Sequence, residues 1–274
     1  MFAKRILIAA ATVLAVSACT LDKQNVPDLA GPSGLGLALD ITASPDVLTR
    51  DGVAQSTIGF GMAVVAAPFV VLLAPDLMPA ALLLPALALP MLQLTHGVRD
   101  IAWRPLGWAL GARTLFTPVG VAVVAWFSPR GIAALVGILI LVTVALSVRT
   151  IELRATPRNA AVAGAVSGVS GTAAAIGGPF LALVLQHERP ERLRSTLAVF
   201  FVAGALLGLG GLLVGGELTR AQVAAGLVWV PFGLLGYAVA APVRARIDPD
   251  TFRRVVLAFC VLASLTVIAR AALA

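Results

Sequence analysis

Two apolar stretches of this chain carry glycines, hydroxyls and a proline at spacings suited to chemistry. In QSTIGFGMAVVAAPFVVLL, residues 55–73, Gly59, Phe60 and Gly61 precede Pro68; in GAVSGVSGTAAAIGGPFLALVLQ, residues 164–186, Ser170, Gly171, Thr172, Gly177 and Gly178 precede or adjoin Pro179. Each glycine costs a helix about 1 kcal/mol and each proline about 3 kcal/mol, so both stretches are expected to interrupt their helices. In hydrocarbon, broken backbone is tolerated only where protein buries it or a polar cavity solvates it. A break also frees N–H groups at the positive end of a helix dipole, a fit for an oxyanion, and glycine lets the ion approach the backbone. The hydroxyls of Ser56, Thr57, Ser170 and Thr172 would donate to the same oxygens. Arg113, in LGWALGARTLFTP, is the only ionisable residue well inside an apolar span, and its planar guanidinium could clamp an anion.

Each feature has a plainer explanation. Small residues let membrane helices pack closely, and Arg113, about 10 Å along a helix from Leu106, could snorkel toward an interface. The occurrence of two matched broken stretches favours the binding reading, because paired interruptions in two halves mark the substrate site of many transporters. Gln93 and His96 stand near a segment end and read as solvated.

These residues need elements to hold them, and composition says which kind. The chain has 274 residues, 59% hydrophobic and 12% charged, with a mean hydropathy of +0.99. That is too little polar surface for a soluble globule of this size, so an all-α polytopic membrane protein is expected. The net charge of +7 comes from arginines in short runs between apolar stretches, which excludes a nucleic-acid face with interleaved aromatics. Cys19 and Cys260 are isolated, so no disulfide framework follows; no metal cluster or cofactor motif is present. The implied partners are the lipid bilayer and a small anionic solute.

Apolar runs fall at about 57–74, 77–98, 106–127, 131–148, 160–186, 195–214, 222–241 and 254–272. Simple alternation of all eight would leave the arginines evenly divided between the two sides. If the fifth run instead enters and returns on one side, the loops at 99–105, 149–159, 187–194 and 242–254 all face the cytoplasm with twelve arginines. Only Arg130, Arg220 and Arg270 then remain outside, the asymmetry the positive-inside rule requires. Treating the first run in the same way gives two inverted repeats, 57–159 and 160–274, each a broken or re-entrant helix plus three transmembrane helices.

The N-terminus has a different character. Residues 1–18 show Lys4 and Arg5, a short apolar run and small residues, the layout of a signal peptide. Val16-Ser17-Ala18-Cys19 resembles a bacterial lipobox, which implies acylation of Cys19. Residues 19–56 read as an extracytoplasmic, lipoprotein-like linker, and LAGPSGLGLALDITASPDVLTRDGVAQS resembles the start of an Ig-like repeat of bacterial surface lipoproteins. A fusion of a lipoprotein leader to the membrane domain near residue 55 is the expected origin.

QSTIGFGMAVVAAP, SGVSGTAAAIGGPFLALVLQ and ERLRSTLAVFFVAGALLGL together resemble the sulfite exporter TauE/SafE family over about residues 54–272. The resemblance implies a permease of the bacterial inner membrane that moves sulfite, sulfonates or related organic anions. Two other classes compete. A lipid-anchored protein without transport would follow if the fusion truncates the first helix. Gly168-Val169-Ser170-Gly171 also fits the GxSG of rhomboid proteases, yet no histidine follows residue 187 to serve as the base, so no enzyme is expected.

Overall fold

The computed structural model describes residues 61–95, 100–148, 153–244 and 249–273. The regular elements among them are helical: α1 (Gly61–Leu73), a 3-10 turn (Pro75–Leu77), α2 (Ala80–Thr95), α3 (Trp103–Trp126), α4 (Pro129–Val148), α5 (Pro157–Ala174), α6 (Gly178–Val184), α7 (Pro190–Val214), α8 (Arg220–Arg244) and α9 (Pro249–Leu273). The expected signal peptide, Cys19, the linker, Gly59, Phe60 and His96 lie outside the described residues; Gly61 opens α1.

Helices α3 and α4, with Glu191–Val214 of α7 and Arg254–Ala271 of α9, are long and apolar enough to cross a membrane. Helix α2 and Arg220–Leu235 of α8 are shorter apolar helices. Local sequence sets several boundaries. Thr156 caps α5, its Oγ1 accepting the Asn159 N–H at 3.2 Å, and Pro157 takes the first helical position, where a missing N–H costs nothing.

Helix α3 shows how the sequence sorts lipid from protein. Leu106, Ala109, Arg113, Thr117 and Gly120 are buried, recurring at three- and four-residue intervals, whereas Trp103, Trp108, Leu115, Val119 and Trp126 are exposed. The buried stripe lies along α5, and the two helices run parallel in the closest helix–helix packing described. Gly164 sits on the backbone of Ala109, Gly168 on the Arg113 carbonyl, and Gly120 beside Thr172 and the carbonyls of Gly168 and Val169. An added Cβ at any of the three would meet backbone or side-chain atoms within 3 Å.

This corrects one expectation. Gly164, Gly168 and Gly171, read as breaking the fifth apolar run, lie inside an unbroken α5; for Gly164 and Gly168 the small-residue packing explanation holds. Close approach to α3 offsets their low helix propensity. The interruption comes later, at Ala175.

Bonds between loops place the helix ends. At one end the Ala102 N–H donates to Thr196 Oγ1 at 3.0 Å, Arg192 pairs with Asp100 at 3.5 Å, and Gln186 Nε2 donates to the Leu153 carbonyl at 3.5 Å. This end gathers Arg104, Arg154, Arg158, Arg189, Arg192 and Arg194. At the other end the buried Gln222 donates through Nε2 to the carbonyls of Asp76 and Met78, at 3.1 and 2.9 Å.

Candidate functional site

The fifth apolar run turns back on itself. Ala175 adopts a left-handed conformation, φ 60 and ψ 18, which costs a residue with a Cβ about 1–2 kcal/mol. Two serines of α5 stabilise the turn. Ser167 Oγ donates to the Gly177 carbonyl at 2.5 Å, and Ser170 Oγ donates to the carbonyls of Ile176 at 2.7 Å and Val166 at 2.8 Å. A continuous helix would carry Gly177 about 15 Å beyond Ser167. Instead the chain reverses, α6 packs against α5, and the Gln186–Leu153 bond returns the run to the end where it began.

Arg113 meets this turn. It is the eleventh residue of α3, so about 15 Å of helix separates it from Trp103, roughly half the thickness of a bilayer's hydrocarbon. Its side chain is only 3% exposed and points into the protein rather than along the helix toward an interface. The guanidinium lies over the ring of Phe200 on α7, with Cζ 4.6 Å from the centroid, a cation–π contact. Glycines form the other walls. A Cβ on Gly171 would stand 2.8 Å from Nη2, one on Gly177 would stand 3.3 Å from Nη1, and one on Gly204 of α7 would overlap the guanidinium. Only glycine at Gly204 leaves room for the arginine.

The guanidinium has no partner equal to its charge. Nε and Nη1 are buried without a hydrogen bond, and among the described residues no carboxylate pairs with Arg113. A buried, unsatisfied polar group costs about 1–3 kcal/mol, and a charged one more. A further orphan lies close by: Thr172 Oγ1 is fully buried and has no partner.

Of the residues singled out in the sequence, the structure thus brings Arg113, Gly171 and Gly177 into one site. Gly178 opens α6 directly behind it, and Thr172 occupies the next position of α5. Helix α6 has seven residues, about two turns, so its dipole is slight. Ser170 donates its hydroxyl proton to backbone carbonyls, which leaves lone pairs, not a donor, for any solute. Phe200, Gly204 and Ser167 were not identified from sequence. The recurrence Gly204, Gly208, Gly211 along α7, continued by Gly215 just past its end, is the signal that could have found Gly204.

The chain as a whole was compared with known proteins. Among curated proteins and among solved structures nothing matches it. A family model described as Sulfite exporter TauE/SafE matches residues 52–267, a range that contains all the site residues above and most of α9. The chain belongs to the sulfite exporter TauE/SafE family, a family of membrane transporters.

Proposed function

We propose that the protein is a permease of the bacterial inner membrane for small anionic sulfur compounds, sulfite and small sulfonates or related organic anions, and that the anion binds at Arg113. The observation that carries this reading is a guanidinium at mid-span, buried and unpaired, walled by Gly171, Gly177 and Gly204. Arginine's planar fork suits an oxyanion, and ionisable groups at membrane depth usually serve the transported species.

The two halves, 57–159 and 160–274, act in this reading as inverted repeats. Helix α1 corresponds to α6, α2 to α7, α3 to α8 and α4 to α9. Such a relation keeps α2 against α7 and α4 against α9, and exchanges the pair α2–α8 with the pair α3–α7. All four pairs pack together, which supports it. A bond also joins each of the exchanged pairs near the helix starts. Gln222 ties the start of α8 to the turn before α2, and Thr196 near the start of α7 takes the N–H just before α3. Both α3 and α8 carry a P-x-G sequence, Pro118 to Gly120 and Pro231 to Gly233. The signal peptide, acylated Cys19 and linker complete this reading by holding the N-terminus outside.

The test is flux of labelled sulfite into proteoliposomes holding the full chain. Arg113→Gln keeps a polar N–H donor on a shorter side chain, with two donors in place of five, and removes the charge; it should lower sulfite kcat/KM about 10–100-fold, the worth of a hydrogen bond to a charged group. Arg113→Gln with unchanged KM and turnover would remove the anion from this site.

A further inference from the structure

We propose that Thr172 is a second station for the permeating anion. Its hydroxyl donates a hydrogen bond to the anion as it leaves Arg113 along the glycine face of α7. This rests on the Arg113 reading above and adds a step to it.

The argument begins with how buried hydroxyls behave in this chain. Thr117, Thr143, Ser170, Thr196 and Ser264 each donate to the carbonyl four residues back, the usual fate of Ser and Thr in an apolar helix. Ser167 instead donates across the turn to Gly177. Among the buried hydroxyls described, Thr172 alone has no partner. Gly120 packs on the Thr172 Cβ and the Gly168 carbonyl, the acceptor Thr172 would otherwise use. On its other side Thr172 faces α7, where a Cβ on Gly208 would stand 3.6 Å from Oγ1.

Gly204 and Gly208 link the two orphans. Arg113 lies against Gly204 and Thr172 Oγ1 against Gly208, one turn further on, so the two donors are offset by about 6 Å along α7. Neither glycine has a side chain to stand between the two donors. A single oxyanion can thus exchange one donor for the other over a distance comparable with its own size. The chemistry calls for such a step, because conduction needs binding weak or divided enough to permit release. The ion's own desolvation limits binding at the guanidinium, and a neutral donor beside it competes for the same oxygens without adding charge, so release is divided into two shorter steps.

Thr172→Val keeps the shape and removes the hydroxyl. Removing an unpartnered hydroxyl should leave folding stability equal or higher, so any loss of transport cannot be attributed to unfolding. In full-chain proteoliposomes with labelled sulfite, Thr172→Val should slow turnover about tenfold, the worth of one hydrogen bond to an ion, with KM unchanged or lower. Thr172→Ser should restore turnover. Gly208→Ala places a methyl beside the hydroxyl, 3.3 Å from Leu83 Cδ1, and should slow turnover while leaving KM in place. Turnover in Thr172→Val within about twofold of the unsubstituted chain would overturn the second station, as would Thr172→Ser as slow as Thr172→Val. If those results accompany an inactive Arg113→Gln, the Arg113 site stands and only the second station falls. Unchanged transport in Arg113→Gln, or no sulfite flux in the unsubstituted chain, overturns both.

Discussion

Gly204→Ala tests whether the arginine is held as tightly as its surroundings indicate. The new methyl would overlap the guanidinium of Arg113. A flexible side-chain end could normally move aside at little cost, but this one is enclosed by the Phe200 ring at 4.6 Å and by Gly171 and Gly177. Overpacking of this kind costs about 1–3 kcal/mol. Displacement from the ring forfeits a desolvated cation–π contact worth about 1–2 kcal/mol. The sum is about 2–5 kcal/mol if both terms are felt in full. The assay is a double-mutant cycle on reversible unfolding in mixed micelles, with Gly204→Ala measured alone and in an Arg113→Ala background. Once the guanidinium is gone the methyl has space, so the second measurement should show a cost under about 1 kcal/mol and a coupling of about 2 kcal/mol. Equal costs in both backgrounds would refute the enclosure, and with it the account of why glycine occupies that position.

Three further outcomes follow from the fold. Cysteines placed at Leu153 and Arg189 should be labelled by an impermeant thiol reagent from the same face of the membrane, because the Gln186–Leu153 bond joins the two ends of the fifth apolar run; labelling from opposite faces would refute the reversal. Gly164→Val should abolish folding, since its side chain would enter the Ala109 backbone, whereas Gly111→Ala, with open space around it on the same α3, should raise stability by about 0.5–1 kcal/mol, read as a shift of the unfolding midpoint.

The all-helical class and the break in the fifth apolar run were legible because composition and glycine–proline content act locally. The turning point was not. Six glycines and prolines in one run say that a helix is stressed, but the stress at Gly164 and Gly168 is relieved by contact with α3, and contacts between helices leave no trace at a single position. The actual turn uses Ala175, a residue with no sequence signature for left-handed backbone, and it forms because Ser167 and Ser170 stand where they can bond the carbonyls beyond it. Arg113 was legible as an anomaly of charge in an apolar span. Its direction was not, since snorkelling and inward burial place the same residue at the same point in the chain. The opposite wall, Phe200 and Gly204, escaped for a related reason: a phenylalanine and a glycine in an apolar helix look like ordinary lipid- or core-facing residues until another helix brings a charge to them.

The way Arg113 is held also bears on why its partner should be mobile. A guanidinium paired with a fixed carboxylate would form a neutral buried unit, and no anion could displace that carboxylate without leaving it stranded in low dielectric. Here the ring of Phe200 and the surrounding glycine backbone offer dipoles and a quadrupole but no full negative charge. The unpaired guanidinium is therefore raised in energy, and an arriving anion relieves its charge while losing its own hydration. Those two terms oppose each other, which limits the net affinity even though the contact is strong. Modest net affinity at a strong contact is what a carrier requires, because the same ion must leave on the other side. The unpaired arginine is thus better suited to a passing anion than to a structural one.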